Sequence, residues 1–258
     1  MKRIGILTSG GDCAGLNAVI RAAVKRADLL DWEVLGILDG TMGLLQDKPN
    51  YIKLSANDMG GVTLRQGGTI LGTTNKGNPF EFPMPDGSKK DRSDEVIENL
   101  RQLGIDALIG IGGDGSFAIL NKLAKKGDIN MVGIPKTIDN DIGETETSVG
   151  FDTAVTVATE ALDRLQPTAA SHDRVMILEV MGRDAGHIAL TAGIAGGADV
   201  ILIPEIDYSI ESISSKINQI KKQGRNFALV VVSEAVRKPD GEKFEVVYSG
   251  GEKRYGGL

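Results

Sequence analysis

Short apolar runs recur along this chain, separated by segments of helical spacing, and that alternation constrains the fold more than any other feature. Residues 4–7, 32–38, 106–111, 130–134, 175–180, 200–203 and 227–232 read as strands. Apolar side chains recur at helical intervals over 14–27, 91–104, 114–127, 148–165, 185–195 and 210–223. Strands buried on both faces and alternating with helices predict an α/β protein with largely parallel, doubly wound sheets. At 258 residues, 41% of them hydrophobic, the expectation is two Rossmann-like lobes with the active site in the cleft between them. With no linker or low-complexity tract to mark a boundary, the lobes are set at 1–141 and 142–258, just after Asp141.

In an open parallel sheet a ligand sits at the carboxyl ends of the strands, so the loops there carry the functional reading. The run at 130–134 hands over to Pro135, Lys136, Thr137, Ile138, Asp139, Asn140 and Asp141. Pro135 and the Asn-Asp pair predict that the strand stops there. One carboxylate of the loop can face a substrate while the other supports it, or the loop can simply cap a helix. A second loop, Gly112, Gly113, Asp114, Gly115 and Ser116, stands in the same relation to the run at 106–111 and favours a site.

Upstream, Gly10 and Gly11 follow the first strand and precede a helix, where backbone N–H groups form a cradle for phosphate. Paired glycines also serve plain tight turns. Residues 60–85, rich in Gly, Thr and Pro, read as a long excursion beside the site, and Lys76 is the cation of its 67–77 stretch. A solvated loop lysine is the simpler reading of Lys76. The tail at 236–258 is polar and poorly patterned.

The net charge of −6 and pI near 5.1 argue against nucleic-acid binding through a general basic surface. The lone Cys13 excludes an internal disulfide and suits a reducing cytosol. No stretch is long enough to cross a membrane, the first apolar run is too short for a signal peptide, and a cytoplasmic protein is expected. His172 and His187 lie apart with no cysteine cluster, against zinc or a Ser-His-Asp triad.

Phosphoryl transfer needs backbone donors around the donor phosphates, a carboxylate for Mg²⁺, cations for the developing charge and a base for the acceptor hydroxyl. Gly10, Gly11, Gly113 and Gly115 can admit phosphates, and Asp114 suits magnesium. Asp139 suits the base, kept ionised by Lys136 or another cation. Arg174 and Arg183, both beside strand ends, suit a phosphate on the acceptor.

With these motifs in order, the chain resembles the 6-phosphofructokinases of glycolysis, the bacterial kind with two Rossmann-like lobes. The resemblance runs through Leu7 to Asp12, Gly112 to Ser116, Thr137 to Asp141, Met181-Gly182-Arg183 and Ser233-Glu234. It implies Gly11, Lys76, Gly77, Gly113, Asp114, Gly115 and Ser116 at the nucleotide, with Asp114 on Mg²⁺. It implies Thr137 and Asp139 at the sugar, Asp139 as base, and Lys136 and Arg183 in the catalytic set. Met181, Gly182, Arg183 and Glu234 would hold fructose 6-phosphate, and Arg174 would serve a neighbouring subunit of a homotetramer. Gly115 resembles the residue of ATP users and Lys136 that of pyrophosphate users, so ATP is the expected co-substrate and pyrophosphate the alternative. Asn75 and Lys76 stand where many relatives carry an arginine. Arg21, Lys25 and Arg225 match part of the family's effector site, with Gln166 in place of an arginine. The family's Leu-Gly-His-x-Gln-Arg-Gly-Gly stretch does not occur before Leu258, which leaves open a chain that binds nucleotide or sugar phosphate without turnover. A NAD or lipid kinase shares only the Gly-Gly-Asp-Gly loop.

Overall fold

The computed structural model describes residues 1–238, 241–242, 245–247 and 253–255. Part of the tail assigned to 236–258 therefore lies outside the described residues. Contacts divide the chain into two units, Met1–Thr137 with Ile142–Gly150, and Ile138–Asp141 with Phe151–Leu258. The chain thus passes from one unit to the other three times, where the sequence predicts one passage after Asp141.

The first unit runs β1 (Arg3–Thr8), α1 (Leu16–Asp28), β2 (Glu33–Ile37), β3 (Tyr51–Leu54), α2 (Gly61–Arg65), β4 (Phe82–Pro83), β5 (Lys89–Lys90), α3 (Ser93–Gln102), β6 (Ala107–Gly112), α4 (Asp114–Gly127), β7 (Asn130–Thr137) and β8 (Val149–Gly150). Its main sheet has the order β3-β2-β1-β6-β7-β8, parallel except for the antiparallel edge strand β3. Ile6, Leu7 and Ile37 are fully buried. Leu7 packs with Leu100, Leu120 and Leu123 in one core, each such side chain contributing about 1.5–3 kcal/mol by leaving water. The chain leaves β1 toward β2 and later returns to β6 on the other side of β1, so the strand order reverses between β1 and β6. Such a reversal opens a crevice at the carboxyl ends of the two strands.

The second unit runs α5 (Phe151–Ser171), β9 (Val175–Val180), α6 (His187–Ala195), β10 (Val200–Leu202), α7 (Ile210–Lys222), β11 (Ala228–Ser233), β12 (Glu245–Val247) and β13 (Lys253–Tyr255). Its parallel sheet has the order β10-β11-β9. Leu162 of α5 and Ala189 of α6 pack on Leu229 and Val231 of β11.

Two local rules are overridden. The expected stop before Pro135 does not occur, and β7 continues to Thr137. Up to Pro135 that strand pairs only with β6, and β8 joins its other side from Lys136 onward, so Pro135 stands in an edge-like stretch paired on one side, the setting in which a sheet accepts proline. The helical spacing read over 148–165 ends just before Pro167, a residue that ordinarily stops a helix, yet α5 runs on to Ser171. Pro167 and Asp163, whose carbonyl the ring frees, are both exposed, while Leu162 and Ala169 are fully buried. On that exposed face a carbonyl freed by the ring is open to solvent, and the packed face holds the last turn. No helix among the described residues is long and apolar enough to cross a membrane.

Candidate active site

The three loops that the sequence singles out after β1, β6 and β7 follow adjacent strands of the first unit's sheet. Ser9 donates its N–H to the Ile111 carbonyl at 2.9 Å, which ties the exit of β1 to that of β6. Gly113 precedes α4, whose first residue is the exposed Asp114, and the N–H of Phe117 closes the first turn on the Gly113 carbonyl at 2.9 Å. A Cβ built on Gly11 or Gly115 would meet no protein atom within 4 Å, whereas one on Gly112 would stand 2.5 Å from the Ser116 Cβ. Packing therefore explains Gly112. Gly11 and Gly115 instead leave open space beside backbone N–H groups, the form a phosphate cradle takes.

Lys136, at the end of β7, is 5% exposed and donates from Nζ to the Gly11 carbonyl. An aliphatic stem buried in the sheet thus carries an ammonium to the turn after β1. Cys13 is buried, its thiol hydrogen-bonding distance from the Val149 carbonyl being 3.3 Å. Burial pushes that thiol up, the Lys136 ammonium pulls it down, and Asp12 pushes it up again.

The 60–85 excursion is stitched to the same place. Thr73 Oγ1 donates to the Gly10 carbonyl at 2.5 Å, and the Gly10 N–H donates to the Thr74 carbonyl at 3.1 Å. Thr8 Oγ1 donates to the Gly72 carbonyl at 2.5 Å and lies 3.1 Å from Thr69 Oγ1. Gly72 has φ +67°, and a Cβ there would stand 2.3 Å from Asp39 Oδ1, so no side chain fits. Lys76 is exposed just beyond, its N–H capped by Thr74 Oγ1 at 3.1 Å. Gly77 is buried, and its carbonyl accepts from Thr41 Oγ1. The sequence reading missed Asn17, a fully buried side chain in the first turn of α1 that holds this excursion by three hydrogen bonds to Gln66, Gly67 and Ile70. The Asn17 amide itself is fully buried, and leaving it unpaired would cost about 1–3 kcal/mol.

The acceptor candidates belong to the second unit, except Thr137, which ends β7 and whose carbonyl accepts from Ser148 Oγ at 2.7 Å. Ile138 packs against Ala158 of α5 and Ile188 of α6, anchoring Asp139 and Asp141 on either side of Asn140. Asn140 takes φ +55°, a left-handed conformation that asparagine tolerates. Asp141 Oδ2 lies 3.8 Å from Arg183 Nη1, so the second carboxylate of the loop is paired with the arginine after β9. Glu234, after β11, accepts from the N–H of Gly182 at 3.0 Å and of Arg183 at 2.8 Å through one oxygen, Oε1. A Cβ on Gly182 would stand 2.4 Å from the Ala185 carbonyl oxygen. Met181 is exposed beside them.

Arg174 does not join this group. It precedes Val175, the first residue of β9, whereas Arg183 follows its last, Val180. Six strand residues at about 3.3 Å each separate the two ends within one chain. Arg225 is likewise engaged, hydrogen-bonded to Asp199 Oδ1.

Among the described residues no group of three or more His, Cys, Asp or Glu side chains is arranged to hold a metal. One exposed carboxylate, such as that of Asp114, fits magnesium nonetheless, because that ion keeps several waters and shares its shell with substrate phosphates.

Polar loops at the carboxyl ends of parallel strands, with an open glycine cradle where the strand order reverses, place the chain in the class of α/β proteins that take a ligand at a switch point. Residues 3–255 match the family model described as Phosphofructokinase, and the chain belongs to that family. It is 62% identical over 259 residues to ATP-dependent 6-phosphofructokinase 1 of Synechocystis sp., covering all of this chain and 72% of that protein. It is 64% identical to the protein of the same name from Nostoc sp., covering 71% of it. Among solved structures it resembles phosphofructokinase from Saccharomyces cerevisiae, with TM-score 0.80, 31% identity and coverage of 94% of this chain and 35% of that one. It also resembles a pyrophosphate-dependent phosphofructokinase from Marinobacter aquaeolei, with TM-score 0.72 and 28% identity, covering 92% of this chain and 61% of that one. The chain therefore spans about a third of the yeast protein it matches.

Proposed function

We propose that this chain transfers the γ-phosphoryl group of ATP to the 1-hydroxyl of fructose 6-phosphate, giving fructose 1,6-bisphosphate and ADP. The observation that carries this reading is that its donor and acceptor motifs all lie beside strand ends, in a chain 62% identical throughout to an ATP-dependent 6-phosphofructokinase. The open faces of Gly11 and Gly115 support a nucleotide's phosphates at the N-terminus of α4. Asp114 would hold Mg²⁺, which when bound neutralises charge on the transferring phosphates.

In this mechanism Asp139 accepts the proton of the 1-hydroxyl as its oxygen bonds to the γ-phosphorus, and the bond from that phosphorus to the β–γ bridging oxygen breaks to release ADP. Thr137 positions the sugar. Arg183, held by Asp141, meets the negative charge that develops on the transferring group. Met181, Gly182, Arg183 and Glu234 bind the sugar phosphate, while Lys76, Gly77, Gly113 and Ser116 line the nucleotide. Arg174 serves a neighbouring subunit of a homotetramer, and the setting is cytoplasmic.

Lys136 supports a second reading, a pyrophosphate-dependent enzyme, since its buried ammonium lies beside the phosphate cradle. Formation of fructose 1,6-bisphosphate by the purified chain with Mg²⁺, run in parallel with ATP and pyrophosphate, tests both. Turnover with ATP upholds the proposal, and turnover with pyrophosphate alone replaces it. Binding of both substrates in calorimetry without turnover would make the chain a binding protein.

A further inference from the structure

Asn17 is the one polar side chain within α1 that is completely buried, among apolar neighbours that include Leu16 and Ile20. Both ends of its amide are engaged. Nδ2 donates to the Gln66 carbonyl at 2.9 Å and to the Gly67 carbonyl at 3.3 Å, while Oδ1 accepts from the Ile70 N–H at 2.8 Å. Those three backbone groups enclose Gly68, which has φ +65°, and Thr69, whose hydroxyl lies against that of Thr8. Three residues on, Thr73 and Thr74 hydrogen-bond the backbone of Gly10, and Lys76 follows.

A primary amide is the one small side chain that offers two donors and an acceptor at one end, which is what a backbone turn presenting two carbonyls and an N–H requires. Serine could supply one donor, and aspartate would set a carboxylate oxygen against two carbonyl oxygens. Nothing local to α1 needs such a group, because helix N-caps are met at the residue before the helix, and Asn17 is the second residue inside it.

We infer that Asn17 is a positioning residue for phosphoryl-donor binding, clamping the turn at Gln66 to Ile70 so that the Thr73 to Lys76 segment is already seated against the Gly10–Gly11 turn before the donor arrives. This rests on the reading of that turn as the donor cradle. The clamp acts through backbone and touches no reacting atom, so its effect falls on donor affinity and leaves acceptor binding and the chemical step in place.

The test has two arms. In Asn17→Asp the KM for ATP should rise about tenfold, with the KM for fructose 6-phosphate and kcat at saturating ATP within about twofold of wild type. An unchanged KM for ATP, or equal losses in both KM values and kcat, would overturn the inference. The second arm uses the wild-type chain without nucleotide, and so survives a variant that fails to fold. Hydrogen exchange at the Ile70 amide should be as slow there as at the Asp39 amide, which is bonded to the neighbouring Leu71 carbonyl at 2.8 Å. Rapid exchange at Ile70 that becomes slow only on adding ADP would mean that the nucleotide, not Asn17, builds the segment. If the wild-type chain uses no ATP, the assigned reaction fails while the exchange result still decides whether the turn is preformed.

Discussion

Glu234 Oε1 and the backbone N–H of Arg183 are joined by a 2.8 Å hydrogen bond, and the same oxygen takes the N–H of Gly182. The carboxylate therefore shapes the loop after β9 through a single oxygen. In Glu234→Gln the amide oxygen can still accept both N–H groups, whereas Glu234→Ala leaves them unpaired. We expect Glu234→Ala to raise the KM for fructose 6-phosphate at least tenfold, and Glu234→Gln to raise it several-fold less. Equal losses in the two variants would assign the whole effect to contact with the sugar.

Asp139→Asn removes the proposed base while preserving shape. The expected loss in kcat is about 10²- to 10⁴-fold, with little change in thermal midpoint. Steady-state kinetics beside a melting curve would check it, and a normal kcat would remove Asp139 from the base role.

Gly115 lies inside the first turn of α4, with open space where a Cβ would be. An aspartate there gains helix propensity and faces the positive end of the helix dipole. Gly115→Asp should therefore melt at or above the wild-type temperature and yet lose ATP turnover by at least about a hundredfold, because the carboxylate would fill and repel the nucleotide's place. A less stable variant with normal turnover would show that the space belongs to the fold.

Lys136 lowers the Cys13 thiol against the larger upward push of burial. Substituting Lys136→Met should leave the thiol higher, and since the thiolate is the nucleophile, alkylation at pH 8 should slow further. Mass spectrometry of iodoacetamide uptake over time reads this directly. Faster uptake would mean that Lys136 serves chiefly to keep the Gly11 turn closed over Cys13.

Glu33 is bonded to Lys53 and Arg3, whose hydrogen bonds hold its carboxyl below the ordinary glutamate range. A depressed folded-state value contributes stability above the unfolded value, lost as pH falls through the folded one. Wild type should exceed Glu33→Gln at pH 7, by no more than about 1 kcal/mol for so exposed a set of partners, and the two should converge as the pH falls below the ordinary glutamate range and the carboxyl is protonated. Urea melts at several pH values would measure the gap.

Much of the fold was legible because strands buried on both faces leave continuous apolar runs. β9 spans 175–180 and α4 spans 114–127 in the structure as in the sequence reading. Pro135 and Pro167 misled it, since edge position and packing are tertiary facts that a local rule does not see. β3 and α2 carry no strong period; α2 lies in the stretch read as an excursion, and β3 in one assigned no element. Of the candidate site, the glycine and carboxylate loops were legible from their places after strands. Arg174 was grouped with Arg183 by closeness to a strand, although its place before Val175 puts it at the other end. Asn17 left no signal, because a polar residue early in a helix looks like ordinary capping and its partners lie about fifty residues away.

The stitching of the β1 exit to residues 69–74, to the end of β6 and to Lys136 of β7 has a kinetic consequence. Its hydrogen bonds join positions separated by as many as 125 residues, and loop-closure entropy must be met before such pairs can form. Helices such as α4 can appear early from local contacts, whereas the cradle exists only once most of the first unit has assembled. During refolding, recovery of nucleotide binding should therefore trail recovery of helical signal.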